Sequence, residues 1–80
     1  MENQEFVLEL KGAIYELIKE YHGRKRLKFG DIHKEMKRRY GASKCSRKTC
    51  QAAVRLLTDS GECEYYYASG SWIDLPRTEA

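Results

Sequence analysis

Three stretches of this chain place apolar residues three and four apart, and each runs out at a glycine: Gly23, Gly41 and Gly61. A period near 3.6 closed by glycine is the pattern of an amphipathic helix with a C-terminal stop. The chain is therefore constrained to three short helices that must bury their stripes against one another. In the first, over about Glu5 to Tyr21, the stripe is Phe6, Leu10, Ala13, Ile14, Leu17 and Tyr21, widened by Val7 and Ile18. Gly12 weakens that helix's interior and leaves room for close packing. The second helix has Asp31 placed to cap its first turn and Ile32, Met36 and Tyr40 as its buried side. After a turn over Ala42 to Cys45, Ser46 is the expected N-cap of a third helix reaching about Asp59, with Cys50, Ala53, Val54 and Leu57 inward and Leu56 at the edge.

Between the first two helices, Arg26-Leu27-Lys28-Phe29 alternates polar and apolar residues and predicts a short strand. The end of the chain changes period again. Aromatic Glu62 to Tyr67 and Ser71 to Leu75 predict a β-hairpin around Ala68-Ser69-Gly70, with Gly70 in the left-handed region. A three-residue loop sets Tyr65 opposite Ile73 and Cys63 opposite Leu75 on one face, and joins Tyr66 to Trp72 on the other. That register yields one coherent apolar side. Pro76 stops the second strand, and 76–80 is expected to fray.

The order helix, short strand, helix, turn, helix, strand, wing loop, strand resembles the winged helix-turn-helix superfamily, an α+β fold. The likeness covers residues 6–75 of one expected domain, 1–80, and most of it lies in SRKTCQAAVRLLTDSGECEYYYASGSWIDL. Ser46 resembles the start of the recognition helix, Val54 and Leu57 its core positions, and Gly61 and Cys63 the entry to the wing. The superfamily implies a DNA-binding or protein-binding module. Within the hairpin, Glu64-Tyr65-Tyr66 and Ser69-Gly70-Ser71 are also similar to the wing of the small D proteins associated with dissimilatory sulfite reductase. That likeness implies a non-catalytic module docking on such a reductase complex.

Charge points more directly at a partner. Residues 1–23 carry two basic and five acidic side chains, 24–55 carry twelve basic against Asp31 and Glu35, and 56–80 carry Arg77 against five acids. A net charge of +3 thus hides a middle segment at +10, as expected of a surface facing a polyanion. On the third helix Arg47, Gln51 and Arg55 recur every fourth residue, with Lys48 beside them, opposite the core positions. In a major groove, arginine and lysine donate to guanine edges and glutamine pairs with adenine. Lys44, Ser46 and Thr49 are placed for phosphates at the helix start. Lys34, Lys37 and Arg38 on the second helix, and Arg24, Lys25 and Arg26 before it, are backbone-contact candidates. The wing has no lysine or arginine between Glu62 and Pro76.

The expected function is duplex-DNA binding by a small transcriptional regulator, with helix 46–59 in the major groove. The alternative is a protein-interaction module using an exposed Tyr66 and Trp72 pair. Helix one, with Phe6, Val7, Tyr15 and Ile18, is the expected place for a weak homodimer contact.

Other classes find little support. No run approaches 18 apolar residues, so no membrane span is expected. The start MENQEFVLEL lacks an apolar run before a small-residue cleavage site, so a cytoplasmic protein is expected. Cys45, Cys50 and Cys63 are then free thiols, with Cys45 the reactive one. Their spacing lacks the two-residue separation of zinc knuckles, and no metal or cofactor is expected. His22, at the end of helix one, and His33, on a polar face of helix two, have no nucleophile between them. With no glycine-rich phosphate loop or carboxylate pair, no enzyme is expected.

Overall fold

A computed structural model describes residues 4–67 and 70–76. Helix α1 spans Gln4–Tyr21, α2 Phe29–Tyr40 and α3 Arg47–Asp59, followed by strands β1 at Glu64–Tyr66 and β2 at Trp72–Asp74. The two strands form an antiparallel hairpin with Tyr65 opposite Ile73 and Tyr66 opposite Trp72, the register read from the aromatic alternation. The architecture is α+β and winged helix-turn-helix-like.

The stripe of α1 lines one side of the core. Phe6, Val7, Leu10, Ile14, Leu17 and Ile18 are buried, and they meet Ala53, Val54 and Leu57 of α3 and Ile32 and Met36 of α2. Phe6 also meets Tyr40 edge-on, with ring centroids 5.3 Å apart. This burial corrects the expected dimer surface: Phe6, Val7 and Ile18 are consumed inside their own chain, at 6%, 5% and 1% exposure. Gly12 is corrected as well, because a side chain there would meet nothing within 4 Å.

The expected strand at Arg26 to Phe29 shrinks to one bridge, Leu27 to Ile73, in which the Ile73 N–H donates to the Leu27 carbonyl at 2.8 Å. The chain turns helical immediately afterwards. Lys28 is the extended N-cap of α2, and the carboxylate of Asp31, three residues on, accepts the Lys28 N–H at 3.2 Å. Asp31 therefore caps from the N3 position rather than as N-cap, which starts α2 three residues earlier than a cap at Asp31 would. At the other end, Gly41 closes α2 with φ of 90° while its N–H donates to the Lys37 carbonyl, a backbone conformation open chiefly to glycine.

The hairpin strands are shorter than expected, three residues each. Cys63 and Leu75 lie just outside them; the Cys63 N–H turns back to the Leu57 carbonyl at 3.0 Å, and the Leu75 N–H donates to Asp74 Oδ1 at 2.8 Å. Gly70 has φ of 100°, whereas Ala68, Ser69 and the tail from 77 onward lie outside the described residues. Among the described residues, no helix is long and apolar enough to cross a membrane.

Candidate nucleic-acid interface

Helix α3 begins with a well-made cap. Ser46 Oγ accepts the Thr49 N–H at 3.2 Å and shares a hydrogen bond with Thr49 Oγ1 at 2.9 Å. Thr49 is 8% exposed, and its hydroxyl is engaged within the cap. What the cap does is fix the first turn, from which Arg47 and Lys48 project into solvent beside Lys44, with Gln51 one turn further along. Inward, Cys50, Ala53, Val54 and Leu57 are fully buried. The helix therefore has a strict apolar side and a strict polar side, as the four-residue spacing of Arg47, Gln51 and Arg55 requires.

Ion pairing divides the cations into two groups. Arg38 grips Glu35 through Nε at 3.0 Å and a terminal nitrogen at 2.6 Å, and Arg39 Nε reaches the same carboxylate at 2.8 Å. These two arginines hold the Glu35 carboxyl down at about 2. Arg55 lies 3.6 Å from Asp59. Each of these arginines already has a carboxylate partner. By contrast, no carboxylate pairs with Arg24, Lys25, Arg26, Lys28, Lys34, Lys37, Lys44, Arg47 or Lys48 among the described residues. Unpaired cations are the ones that gain most from meeting phosphate, since they give up no existing partner.

The unpaired group is physically linked. Arg47 places its guanidinium over the ring of Phe29, 5.4 Å from the centroid, and Phe29 stacks on His33 at 5.9 Å. His33 is thus half-buried rather than on an open polar face, and its Nε2 lies 3.3 Å from the Cys45 carbonyl, which makes Nε2 the protonated nitrogen. One residue before Phe29, Lys28 extends toward the wing, its Nζ 3.8 Å from where a side chain on Gly70 would begin. Arg26 lies over Trp72 with 4.3 Å from guanidinium carbon to ring centroid. Both residues were hidden from a reading of the wing alone, because they lie more than forty positions away in the chain. The only sequence signal was the alternation around Leu27, which aims its neighbours away from the core.

The aromatics of the hairpin are distributed differently from expectation. Tyr66 and Trp72 stack at 5.3 Å with 17° between planes, Tyr66 donates its hydroxyl to the Leu75 carbonyl at 2.7 Å, and Arg26 covers the indole. The pair is half-buried and not an exposed contact. Tyr65 and Tyr67 are the open ones, stacked at 6.2 Å with Tyr67 78% exposed.

The thiols are corrected too. Cys45 is fully buried along with Cys50 and Cys63, so it is no more accessible to a reagent than they are. Burial pushes the Cys50 thiol up to about 12 and that of Cys63 to about 11, and it raises Cys45 as well. Thiols in that state behave as small apolar side chains. Among the described residues no group of three histidine, cysteine or acidic side chains is arranged to hold a metal. His22, at the end of α1, binds Asp74 of β2 through Nδ1 at 2.8 Å.

Set against models of known families, against curated proteins and against solved structures, the chain matches none. Its function rests on the geometry above.

Proposed function

We propose that this domain binds duplex DNA as a small, non-catalytic transcriptional regulator, with the N-terminal half of α3 in the major groove. The observation that carries the reading is the outward face of that half-helix: Arg47, Lys48 and Gln51 are exposed, and neither cation is engaged by a carboxylate among the described residues. Lys44 precedes them, and the N-terminal end of the helix dipole reinforces attraction for phosphate. A capped helix on a buried stripe holds these side chains in fixed register, which base recognition needs. Arg55, farther along and 3.6 Å from Asp59, serves the backbone, and Arg38 is restrained by Glu35. Lys34 and Lys37, both exposed on α2, supply sequence-independent phosphate contacts.

The acidic exposed side of α1, with Glu5, Glu9, Glu16 and Glu20, faces away from such a partner in this reading. The experiment that tests it is selection of bound duplexes from a random pool with a protein-free control. A reproducible motif is the expected result; a pool that stays random overturns sequence-specific binding.

A second reading has one observation in its favour. The stacked, exposed Tyr65 and Tyr67 form an aromatic surface suited to a protein partner, and this surface replaces Tyr66 and Trp72 in the protein-interaction alternative. Tyr67→Ala removes most of it, and partner capture that survives this change excludes that surface.

A further inference from the structure

The wing lacks lysine and arginine from Glu62 to Pro76, yet two cations lie against it. We propose that Arg26 and Lys28, carried on the segment before α2, are the wing's phosphate-contacting groups, giving the domain a second grip on a DNA backbone beyond α3. The proposal rests on the duplex-binding reading above.

The bridge between Leu27 and Ile73 is what makes the placement firm. Leu27 is 5% and Ile73 1% exposed, and the hydrogen bond between their backbones ties the segment to β2. Side chains alternate along extended backbone, so with Leu27 inward, Arg26 and Lys28 point outward, as Trp72 does beside Ile73. Arg26 then meets the indole face. Stacking uses the flat face of a guanidinium and leaves its in-plane N–H groups free to donate to an anion. Lys28 reaches the loop, its Nζ 3.8 Å from where a side chain on Gly70 would begin.

Acids near the wing form no ion pair with Arg26 or Lys28 among the described residues. Asp74 is occupied by His22 and by the Leu75 N–H, and Glu62 is held by Lys11 at 2.9 Å. Glu64 is exposed on the strand, and no cation pairs with it among the described residues. Two cations and two carboxylates, Glu64 and Asp74, therefore share this side of the hairpin, and the cations keep their N–H groups for an anion.

The test is the affinity of the full chain for one duplex of about two helical turns, read by fluorescence anisotropy at several salt concentrations. Joint replacement Arg26→Ala and Lys28→Ala is expected to weaken binding about tenfold on preferred and random duplexes alike, and to reduce the salt slope by about two units. Thermal unfolding checks that the variant folds. If it does not, Lys28→Gln, whose ammonium covers no ring, is expected to lower the slope by about one unit alone. Trp72 is the chain's single tryptophan, so its emission is expected to change on adding duplex to the unaltered protein. Wild-type binding that Arg47→Ala weakens, while the Arg26 and Lys28 variants keep wild-type affinity and slope, overturns the wing contact and leaves the α3 reading standing. Absence of any wild-type binding at low salt overturns the duplex-binding reading itself.

Discussion

Helix α3 and the wing face the proposed ligand by opposite means. On α3 the functional side chains and the core side chains alternate within thirteen consecutive residues, so one local pattern determines both. The wing has no cation of its own, and its charge is placed there by a single backbone bridge from a segment that precedes two helices. The difference teaches that a binding face can be built locally, by helical period, or remotely, by topology. The two kinds should respond differently to mutation.

The largest effect is expected from cutting the remote link. Ile73→Ala removes a fully buried side chain that anchors both the hairpin and the bridge, and should cost about 2–5 kcal/mol of stability by denaturant unfolding. A loss well below about 1 kcal/mol would mean the wing is not coupled to the core as described. Next in size is Arg47→Ala. It is expected to lower affinity for a preferred duplex by roughly 1–3 kcal/mol while sparing a scrambled one more. Equal losses on both would show that α3 contacts phosphates and not bases.

These two changes also mark what was and was not legible in the sequence. Phe6 to Ile18, Ile32 with Met36, and Cys50 to Leu57 announce themselves by period, and the Tyr65–Ile73 register follows because only it keeps one side of the hairpin apolar. The outward face of α3 comes with its helix. The ion pairs of α2 follow the helical period, since Arg38 and Arg39 stand three and four residues beyond Glu35 on its face, whereas Lys37, two beyond, does not. Burial from above was illegible, as with Cys45, which lies in a turn but is covered, and with Phe6, Val7 and Ile18, whose stripe was wide enough for a dimer yet is filled by α2 and α3. Arg26 and Lys28 at the wing depend on a contact of 46 positions' separation, Leu27 to Ile73, which no local pattern encodes.

A smaller effect sharpens the local half of the comparison. Ser46→Ala deletes the side-chain cap of α3 and should cost about 1 kcal/mol of stability. Amide exchange of the first turn of α3 is expected to speed up more than that of α1, because the change loosens the end that carries Arg47 and Lys48.

The smallest concerns Glu35. Its folded-state carboxyl titrates at about 2, below the ordinary 4.5, chiefly through hydrogen bonds from Arg38 and Arg39. A depressed carboxylate stabilises the folded state above its unfolded value, and that contribution is lost as the pH falls from about 4.5 toward 2. The acid limb of a thermal-unfolding series should therefore be shallower in Glu35→Gln than in the unaltered protein. Because the pair is exposed, the difference is small and shrinks further with added salt. An unchanged acid limb would show that the two arginines are freer than the geometry has them.

Salt titration of duplex binding by the unaltered chain tests the central claim most directly. Five phosphate contacts, from Lys34, Lys37, Lys44, Arg26 and Lys28, predict that the logarithm of affinity falls with the logarithm of salt at a slope of roughly −4.5. Binding that is undetectable at low salt, or whose affinity does not change as salt rises, would contradict a cationic face built to hold DNA.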